Sequence, residues 1–195
     1  MSKHSIKGLL VIFAAHSGAG KTTIIKQLLQ KNKSWKFSIS ATTRKKRDYE
    51  KNGKDYYFIS SDKFNKLLSL NELVESENVH GEYYGTIKEQ VTNTINNGQI
   101  LILDLDVLGA LNVKRQFPNN SITIFIDVPN EDLLIQRLKK RATESKESIE
   151  KRLSRISLEK KEKDNFDFIV INDKLTSCIN KIEKIIKNNI LKLGE

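Results

Sequence analysis

Cysteine, proline and long apolar runs are scarce in this chain of 195 residues. The single cysteine, Cys178, excludes an internal disulfide framework and suits a reducing compartment, so we expect a cytoplasmic protein. The 2 prolines and 9 glycines form no linker that would divide the chain into separate domains. No apolar stretch approaches the roughly 20 residues that a helix needs to cross a bilayer, and we expect no membrane partner.

Basic residues outnumber acidic ones by 34 to 24, which gives a formal net charge of +10. Residues 137–163 contain 11 basic and 5 acidic residues, so +6 of that charge lies in this segment. Interleaved glutamates of this kind are typical of a solvated helix. No basic stripe alternates with aromatic residues, so we expect no nucleic-acid partner, and the charge suits a smaller polyanion such as a nucleotide. The sequence carries no signal for or against self-association.

Apolar runs alternate with amphipathic stretches along the chain. Runs typical of buried parallel strands occur at residues 9–14, 100–103, 122–126 and 168–171. Helical patterns occur at residues 22–31, 87–97, 107–117, 131–141 continuing toward 163, and 175–190. Cys178 borders the apolar stripe of the last helix, so we expect it to be a packing residue. The alternation predicts βαβ units and an α/β fold with a doubly wound parallel sheet.

Two stretches interrupt this alternation. Residues 35–85 are rich in Tyr, Ser and Thr and carry only short strand-like pieces, so we interpret them as a mixed α/β insertion. Residues 137–163 have an arginine-rich helix–turn–helix pattern that could move as a lid. The segments 1–34, 86–136 and 164–195 would then form the core of one domain that spans residues 1–195.

A glycine-rich segment joins the first predicted strand to the first predicted helix. In such a loop, glycines let backbone amides converge on phosphates, a lysine neutralises charge and the following hydroxyl holds Mg²⁺. We therefore predict a phosphate-binding loop with Thr22 as a metal ligand. Its residues are Ser17, Gly18, Ala19, Gly20, Lys21, Thr22 and Thr23.

Two further segments carry charged residues at informative positions. The apolar run 100–103 leads into Asp104 and Asp106, and a strand that ends in aspartate is where such enzymes place a carboxylate beside the metal and its waters. We predict that Asp104 contacts Mg²⁺ through water. Arg44 and Arg47, three residues apart, would converge on one phosphate, although a solvated basic loop has the same composition.

Several separated motifs follow one another in a single order. The motif F-S-x-S-x-T-T-R-x-x-R spans residues 37–47 and is followed by G-x-D-Y-x-F at 53–58. The motif E-x-x-x-x-x-G-x-x-Y-G is carried by Glu75, Gly81, Tyr84 and Gly85. These motifs are followed by three arginines of the predicted lid, Arg137, Arg141 and Arg152, and by the late pair Asn172-Asp173. In this order the motifs resemble the guanylate kinase family over nearly the whole chain.

The resemblance implies a P-loop nucleoside monophosphate kinase-like fold and ATP-dependent phosphorylation of GMP, and of dGMP, with Mg²⁺. It implies that residues 17–23 cradle the ATP phosphates, with Asn172 near the adenine. GMP would be held by its phosphate through Arg44, Arg47, Tyr56 and Tyr84, and by guanine through Ser40, Glu75, Thr86 and Asp106. Catalytic roles would fall to Lys21, Arg137, Arg141 and Arg152.

The chain departs from the family pattern at four places. Ala15-His16 replaces the usual Gly-Pro, and we expect His16 to be an ordinary loop side chain. The other departures are Tyr49 for a common glycine, Leu108 where glutamine is frequent, and Ala142 for a glycine.

Three other classes of protein fit parts of the sequence. A non-catalytic guanylate-kinase-like interaction module would typically lack the loop lysine or the lid arginines, which this chain has. A kinase acting on a phosphorylated ribose would have no need for Ser40 with Glu75. A basic nucleic-acid binder would account for the charge alone.

Overall fold

The computed structural model describes residues 8–79, 81–130, 134 and 159–193. Its strands are β1 Leu9–Ala15, β2 Lys36–Phe37, β3 Ala41–Thr42, β4 Tyr57–Phe58, β5 Leu73–Val79, β6 Glu82–Ile87, β7 Ile100–Asp104, β8 Ser121–Asp127 and β9 Phe168–Ile171. Its helices are α1 Lys21–Lys31, α2 Ser61–Ser69, α3 Lys88–Asn96, α4 Val107–Gln116 and α5 Leu175–Leu193, with a 3-10 turn at Lys163–Asn165. The predicted helix from residue 131 toward 163 lies almost entirely outside the described residues.

A five-stranded parallel sheet forms the centre of the molecule, in the order β2–β7–β1–β8–β9. Strand β1 lies in the middle, where Val11 pairs with Ile102 on one side and with Ile122 on the other. A central parallel strand is covered on both faces, which explains why the sequence of β1 is a continuous apolar run. The predicted α/β fold is confirmed, and the four predicted core strands match the observed ones to within one residue at each end.

Alternate side chains of β1 enter two different core clusters. Leu9, Val11 and Phe13 pack under α1 and α5, and the intervening side chains pack under α3 and α4. This gives three layers, helix on sheet on helix. Cys178 of α5 is only 3% exposed within the first cluster, which confirms it as a packing residue, and burial raises the pKa of its thiol to about 11.

A second, mixed sheet has the order β4–β3–β6–β5 and is formed mostly by the predicted insertion of residues 35–85, with the last two residues of β6 beyond it. Its own small core contains Ala41, Phe64 and Leu73. The first strand of the predicted insertion, β2, instead pairs with β7 in the central sheet, and Trp35 packs in the central core. The second sheet therefore runs from Ala41 to Ile87, because the chain first adds the short edge strand β2 to the central sheet and only then enters the second sheet.

The carboxyl ends of β1 and β7 meet at one edge of the central sheet. Strand β1 leads into the glycine-rich segment, and β7 leads into Asp104, Leu105 and Asp106. Ligands of open α/β sheets bind outside the carboxyl ends of the strands, at such a point. No helix within the described part of the chain is long and apolar enough to span a membrane.

Candidate active site

The glycine-rich segment forms a tight loop between β1 and α1. Gly18 and Gly20 have φ angles of 90° and 96°, in the left-handed region that favours glycine. The Ala19 amide donates to the His16 carbonyl at 3.0 Å, and the Asn172 side chain donates to the Ala19 carbonyl at 2.7 Å. A Cβ at Gly20 would lie 2.6 Å from the Asn172 amide nitrogen, so this glycine is needed for space as well as for conformation. The loop thus leads into α1, and hydrogen bonds to the residues that directly follow β1 and β9 hold its backbone in place.

Lys21, the first residue of α1, reaches the residues that follow β7. Its ammonium lies 2.6 Å from the Asp104 carboxylate and donates to the Leu105 carbonyl, also at 2.6 Å. Both side chains of this ion pair are partly exposed to the cleft. The lysine of the predicted phosphate-binding loop therefore points to the edge of the sheet where β1 and β7 end.

An open cleft of about 420 Å³ joins the loop to the second sheet. Its lining from the sequence-predicted set is Ser17, Gly18, Gly20, Lys21, Thr22, Thr23, Ser40, Tyr56, Glu75, Tyr84, Asp104 and Asp106. Ala19, Thr86 and Asn172 are buried behind this lining, where they bond to the groups in front of them or to the loop backbone. The amide of Asn172, which the resemblance puts near adenine, is bonded to the loop instead.

Arg44 is held beside the cleft by a carboxylate and by aromatic rings. Its guanidinium donates to both oxygens of Glu50, at 2.7 and 3.1 Å, and to the Tyr84 hydroxyl at 3.2 Å. It also lies 5.5 Å from the centroid of the Tyr56 ring. The hydrogen bond with Glu50 raises the pKa of Arg44 and lowers that of the Glu50 carboxyl. This bidentate pair fixes the direction of the guanidinium.

Arg47 is placed differently from Arg44. Its side chain is exposed and donates to the hydroxyl of Tyr49, at 3.0 Å, while its backbone amide donates to Glu50. The structure therefore does not bring the two arginine side chains onto a common point. Tyr49, one of the departures from the family pattern, is 75% exposed and supplies the phenol that Arg47 contacts.

Two tyrosines line the cleft beside Arg44, and two carboxylates line its far end. The rings of Tyr56 and Tyr84 are 5.8 Å apart in an edge-to-face arrangement, and burial is the main cause of the raised pKa of Tyr56. Glu75 of β5 is buried and accepts a hydrogen bond from Thr86 of β6 at 2.6 Å. Burial, followed by the neighbouring charge of Asp106, raises the pKa of the Glu75 carboxyl.

Asp106 is the N-cap of α4, and its carboxylate accepts from the Gly109 amide at 2.7 Å. The capping role expected of an aspartate after a strand and its place in the cleft are thus the same feature. The second carboxylate of this end comes from a strand of the other sheet, so β5 and α4 together build the site.

Sequence reasoning missed several residues of the site. The sequence analysis predicted no role for Glu50, yet both of its carboxylate oxygens accept hydrogen bonds from the Arg44 guanidinium. His16, expected to be an ordinary loop side chain, is 3% exposed and lies 2.7 Å from Glu159 and 3.7 Å from Asp127. His16 and Glu159 both line the loop end of the cleft. The only available signal was an imidazole at a position where the family has proline.

A metal ion would find few protein ligands here. In the described ranges, no group of three or more His, Cys, Asp or Glu side chains is arranged to hold one. Thr22 and Asp104 line the same cleft and offer one hydroxyl and one carboxylate oxygen. This sparse oxygen set fits Mg²⁺, which usually keeps several waters and takes further ligands from phosphates. The predicted lid arginines, Arg137, Arg141 and Arg152, lie outside the described residues.

The central sheet, the loop at its carboxyl edge and the cleft beside a second sheet define a P-loop kinase-like fold. Comparison with known proteins gives a closer assignment. The family model for guanylate kinase matches residues 7–189. The guanylate kinase of Chlorobium chlorochromatii is 41% identical over 94% of this chain and 96% of its own length. That of Thermotoga maritima is 38% identical over 96% of this chain and 90% of its own.

A solved structure agrees with these relatives. The crystal structure of guanylate kinase from Anaplasma phagocytophilum aligns with a TM-score of 0.77 at 26% identity, over 93% of this chain and 86% of that one. The chain belongs to the guanylate kinase family.

Proposed function

We propose that this chain transfers the γ-phosphoryl group of ATP to GMP, giving ADP and GDP. The observation that carries the proposal is the cleft itself, which has the phosphate loop at one end and the Glu75–Asp106 carboxylates at the other. Membership of the guanylate kinase family supports the same reaction and disfavours an interaction module or a kinase of phosphorylated ribose.

The loop end would bind the phosphates of ATP. The loop amides and the N-terminus of α1 provide donors and a favourable dipole for anions. Lys21 would move from Asp104 to the phosphates and stabilise the negative charge that develops during transfer. An oxygen of the acceptor phosphate would attack the γ-phosphorus while the bond to the leaving ADP oxygen breaks.

The middle of the cleft would bind the phosphate of GMP. Arg44 is already oriented by Glu50 and would present its remaining donors to the phosphate, with the Tyr56 and Tyr84 hydroxyls beside it. Arg47 would have to leave Tyr49 to join them.

The far end would select guanine. Guanine presents a ring N–H and an exocyclic amine side by side, and a single carboxylate accepts from both. Glu75, oriented by Thr86, would be that acceptor, with Asp106 and Ser40 completing the site. Adenine carries an acceptor on the corresponding edge, which would face a buried negative charge.

Mg²⁺ would be held by Thr22 and, through water, by Asp104, and when bound it would neutralise phosphate charge during the transfer. The residues of this chain would bind and orient the two nucleotides on either side of it. Arg137, Arg141 and Arg152 would add positive charge from the lid of residues 137–163, as the family resemblance implies. We place this reaction in the cytoplasm, with nucleotides rather than nucleic acid or membrane as partners.

The proposal is tested by measuring ADP formation by the purified chain with ATP, Mg²⁺ and one acceptor at a time. GMP should be the best acceptor, dGMP should also react, and AMP and ribose phosphates should react far more slowly. Guanosine, which lacks the phosphate that Arg44 would bind, should be a very poor acceptor. Equal rates with GMP and AMP, or no ADP formation with any acceptor, would refute the proposal.

A further inference from the structure

Gly109 lies where the two carboxylates of the far end come together. It is the third residue of α4, and its amide donates to the Asp106 carboxylate at 2.7 Å. This bond is the N-cap of the helix, so it fixes the direction of Asp106 with respect to α4. The position of one carboxylate of the site thus depends on the backbone of Gly109.

The same residue leaves room for the other carboxylate. A Cβ at Gly109 would lie 2.7 Å from the capping oxygen of Asp106 and 3.2 Å from the Oε2 atom of Glu75. The first distance is too short for nonbonded carbon and oxygen atoms, and the second requires Glu75 to shift. Glu75 is itself confined, because Thr86 donates to its other oxygen at 2.6 Å. Any side chain at 109 would therefore press on both carboxylates at once.

The close approach of Glu75 and Asp106 at Gly109 also affects the electrostatics of the two carboxylates. The two carboxylates repel each other, which is one cause of the raised pKa of Glu75. Both lie at the N-terminal turn of α4, where the unpaired amides and the helix dipole favour negative charge. A residue without a side chain at 109 lets both carboxylates approach that turn.

We propose that Gly109 is a positioning residue of the acceptor site, which sets the spacing of Glu75 and Asp106 for guanine through its amide and its missing side chain. The inference rests on the proposed function, since guanine is the ligand that this spacing would serve. Gly109 itself touches neither reacting phosphate. Its effect should therefore appear in base recognition and not in ATP binding.

The test is Gly109→Ala, with GMP and IMP compared as acceptors. IMP keeps the ring N–H of guanine but lacks the exocyclic amine, so the GMP-to-IMP ratio of kcat/KM reports on the second hydrogen bond. A displacement of about 1 Å in such a site costs up to roughly 10²-fold. We expect the KM for GMP to rise about tenfold or more and the GMP-to-IMP ratio to narrow, while the KM for ATP stays unchanged.

The matched control is Asn112→Ala, one turn further along α4. Alanine has a higher helix propensity than either glycine or asparagine, so neither variant introduces a helix-breaking residue and we expect both chains to fold. The control should keep wild-type values for GMP and IMP. An unchanged GMP-to-IMP ratio in Gly109→Ala would overturn the inference.

A fall in Tm with parallel losses toward ATP and GMP would also overturn it, because it would show a purely structural role. Measurements on the wild-type chain distinguish a failure of the proposed function from a failure of this inference. A wild type that neither binds GMP by calorimetry nor phosphorylates it would refute the proposed function and this inference together. A wild type that prefers GMP, with an unaltered Gly109→Ala variant, would refute the inference alone.

Discussion

The two ends of the cleft are built by different means. The loop end is made of backbone, in which Gly18 and Gly20 adopt left-handed conformations and Asn172 holds the Ala19 carbonyl. The far end is made of side chains from separate elements, with Glu75 on β5 and Asp106 at the start of α4. Backbone amides bind any phosphate, whereas placed carboxylates accept only from a ligand with matching donors. In the proposed reaction, one end would therefore provide affinity for phosphates and the other would provide selectivity for a base.

The ends also differ in how their charges are balanced. Lys21 lies against Asp104, and Arg44 lies against Glu50, so each of these two cations, which would meet a phosphate, is paired with a carboxylate. Glu75 and Asp106 are two like charges side by side. A ligand with several N–H groups would relieve that repulsion, while a phosphate would increase it. These charges thus favour one orientation of a nucleoside monophosphate in the cleft, with its phosphate toward the cations and its base toward Glu75 and Asp106.

The largest expected effect comes from breaking the selective end with Glu75→Gln. The amide keeps an acceptor for one guanine donor but turns its N–H groups toward the other. Losing one charge-assisted bond and leaving a buried donor unpaired costs about 3–4 kcal/mol, or about 10²- to 10³-fold in kcat/KM for GMP. The GMP-to-AMP ratio in a competition assay should narrow, and an unchanged ratio would remove Glu75 from the base site. Glu72→Gln is the control, since Glu72 is exposed at the turn before β5.

Breaking the loop end with Lys21→Ala should have the next largest effect. Removing one charged donor from a site of this kind costs about 10²-fold in kcat. The fold should persist, because Lys21 is at the surface of the cleft and its partner Asp104 becomes free to meet solvent. Lys26→Ala, an exposed lysine on the same helix, is the control for charge. Folded Lys21→Ala protein with undiminished turnover would contradict the role of the loop.

A smaller effect is expected for Arg44→Lys, which keeps the positive charge but loses the planar guanidinium that makes two parallel hydrogen bonds. Lysine cannot bond to both oxygens of Glu50 while it also faces a phosphate. We expect a rise in the KM for GMP of about tenfold, equivalent to the loss of about 1.4 kcal/mol, with the KM for ATP unchanged. Lys45→Ala removes a positive charge from the same loop and should leave both values near wild type. A wild-type KM for GMP in Arg44→Lys, together with a raised KM in Lys45→Ala, would show that the loop acts through charge alone.

The smallest effects concern pH. In the proposed site guanine would require the ionised form of Glu75, and burial with the Asp106 charge raises the pKa of that carboxyl. The kcat/KM for GMP should therefore fall, as pH decreases, at a higher pH than an ordinary glutamate with a pKa of about 4.3 would give. Glu75→Gln should lack this acid limb in a pH–rate profile.

The raised pKa of Glu75 has the opposite effect on the stability of the fold, which protonation of this carboxyl should increase. Because the pKa of Glu75 is higher in the folded chain than in the unfolded one, protonation favours folding, and this stabilisation is lost as pH rises through the raised pKa. Glu75→Gln should therefore have a higher Tm than wild type at neutral pH, and the two should converge in acid. Glu50, whose pKa is lowered by Arg44, should show the reverse, with stability lost as pH falls. Thermal unfolding at a series of pH values measures both.

Local sequence was enough for the sheet, the loop and the family. Strands β1, β7 and β8 are near-continuous apolar runs because both of their faces are covered, and that pattern is visible without any coordinates. The edge strand β9 is equally apolar in sequence, although its Ile169 and Ile171 side chains are exposed. The phosphate loop is a contiguous segment whose conformation depends on its own glycines. The motifs also named Glu75, Tyr56, Tyr84 and Asp106, which the structure brings to one cleft.

The sequence by itself determined four strands of the central sheet and the position of the glycine-rich loop between β1 and α1, because these depend on burial patterns and on φ angles within short stretches. Only the tertiary structure decided that Glu50 holds Arg44, that Arg47 faces Tyr49, and that Asn172 bonds to the loop backbone. It also decided that β2 belongs to the central sheet. These contacts join residues on separate loops, strands and helices, and a pairing across a fold is set by where whole elements pack, which no local pattern contains.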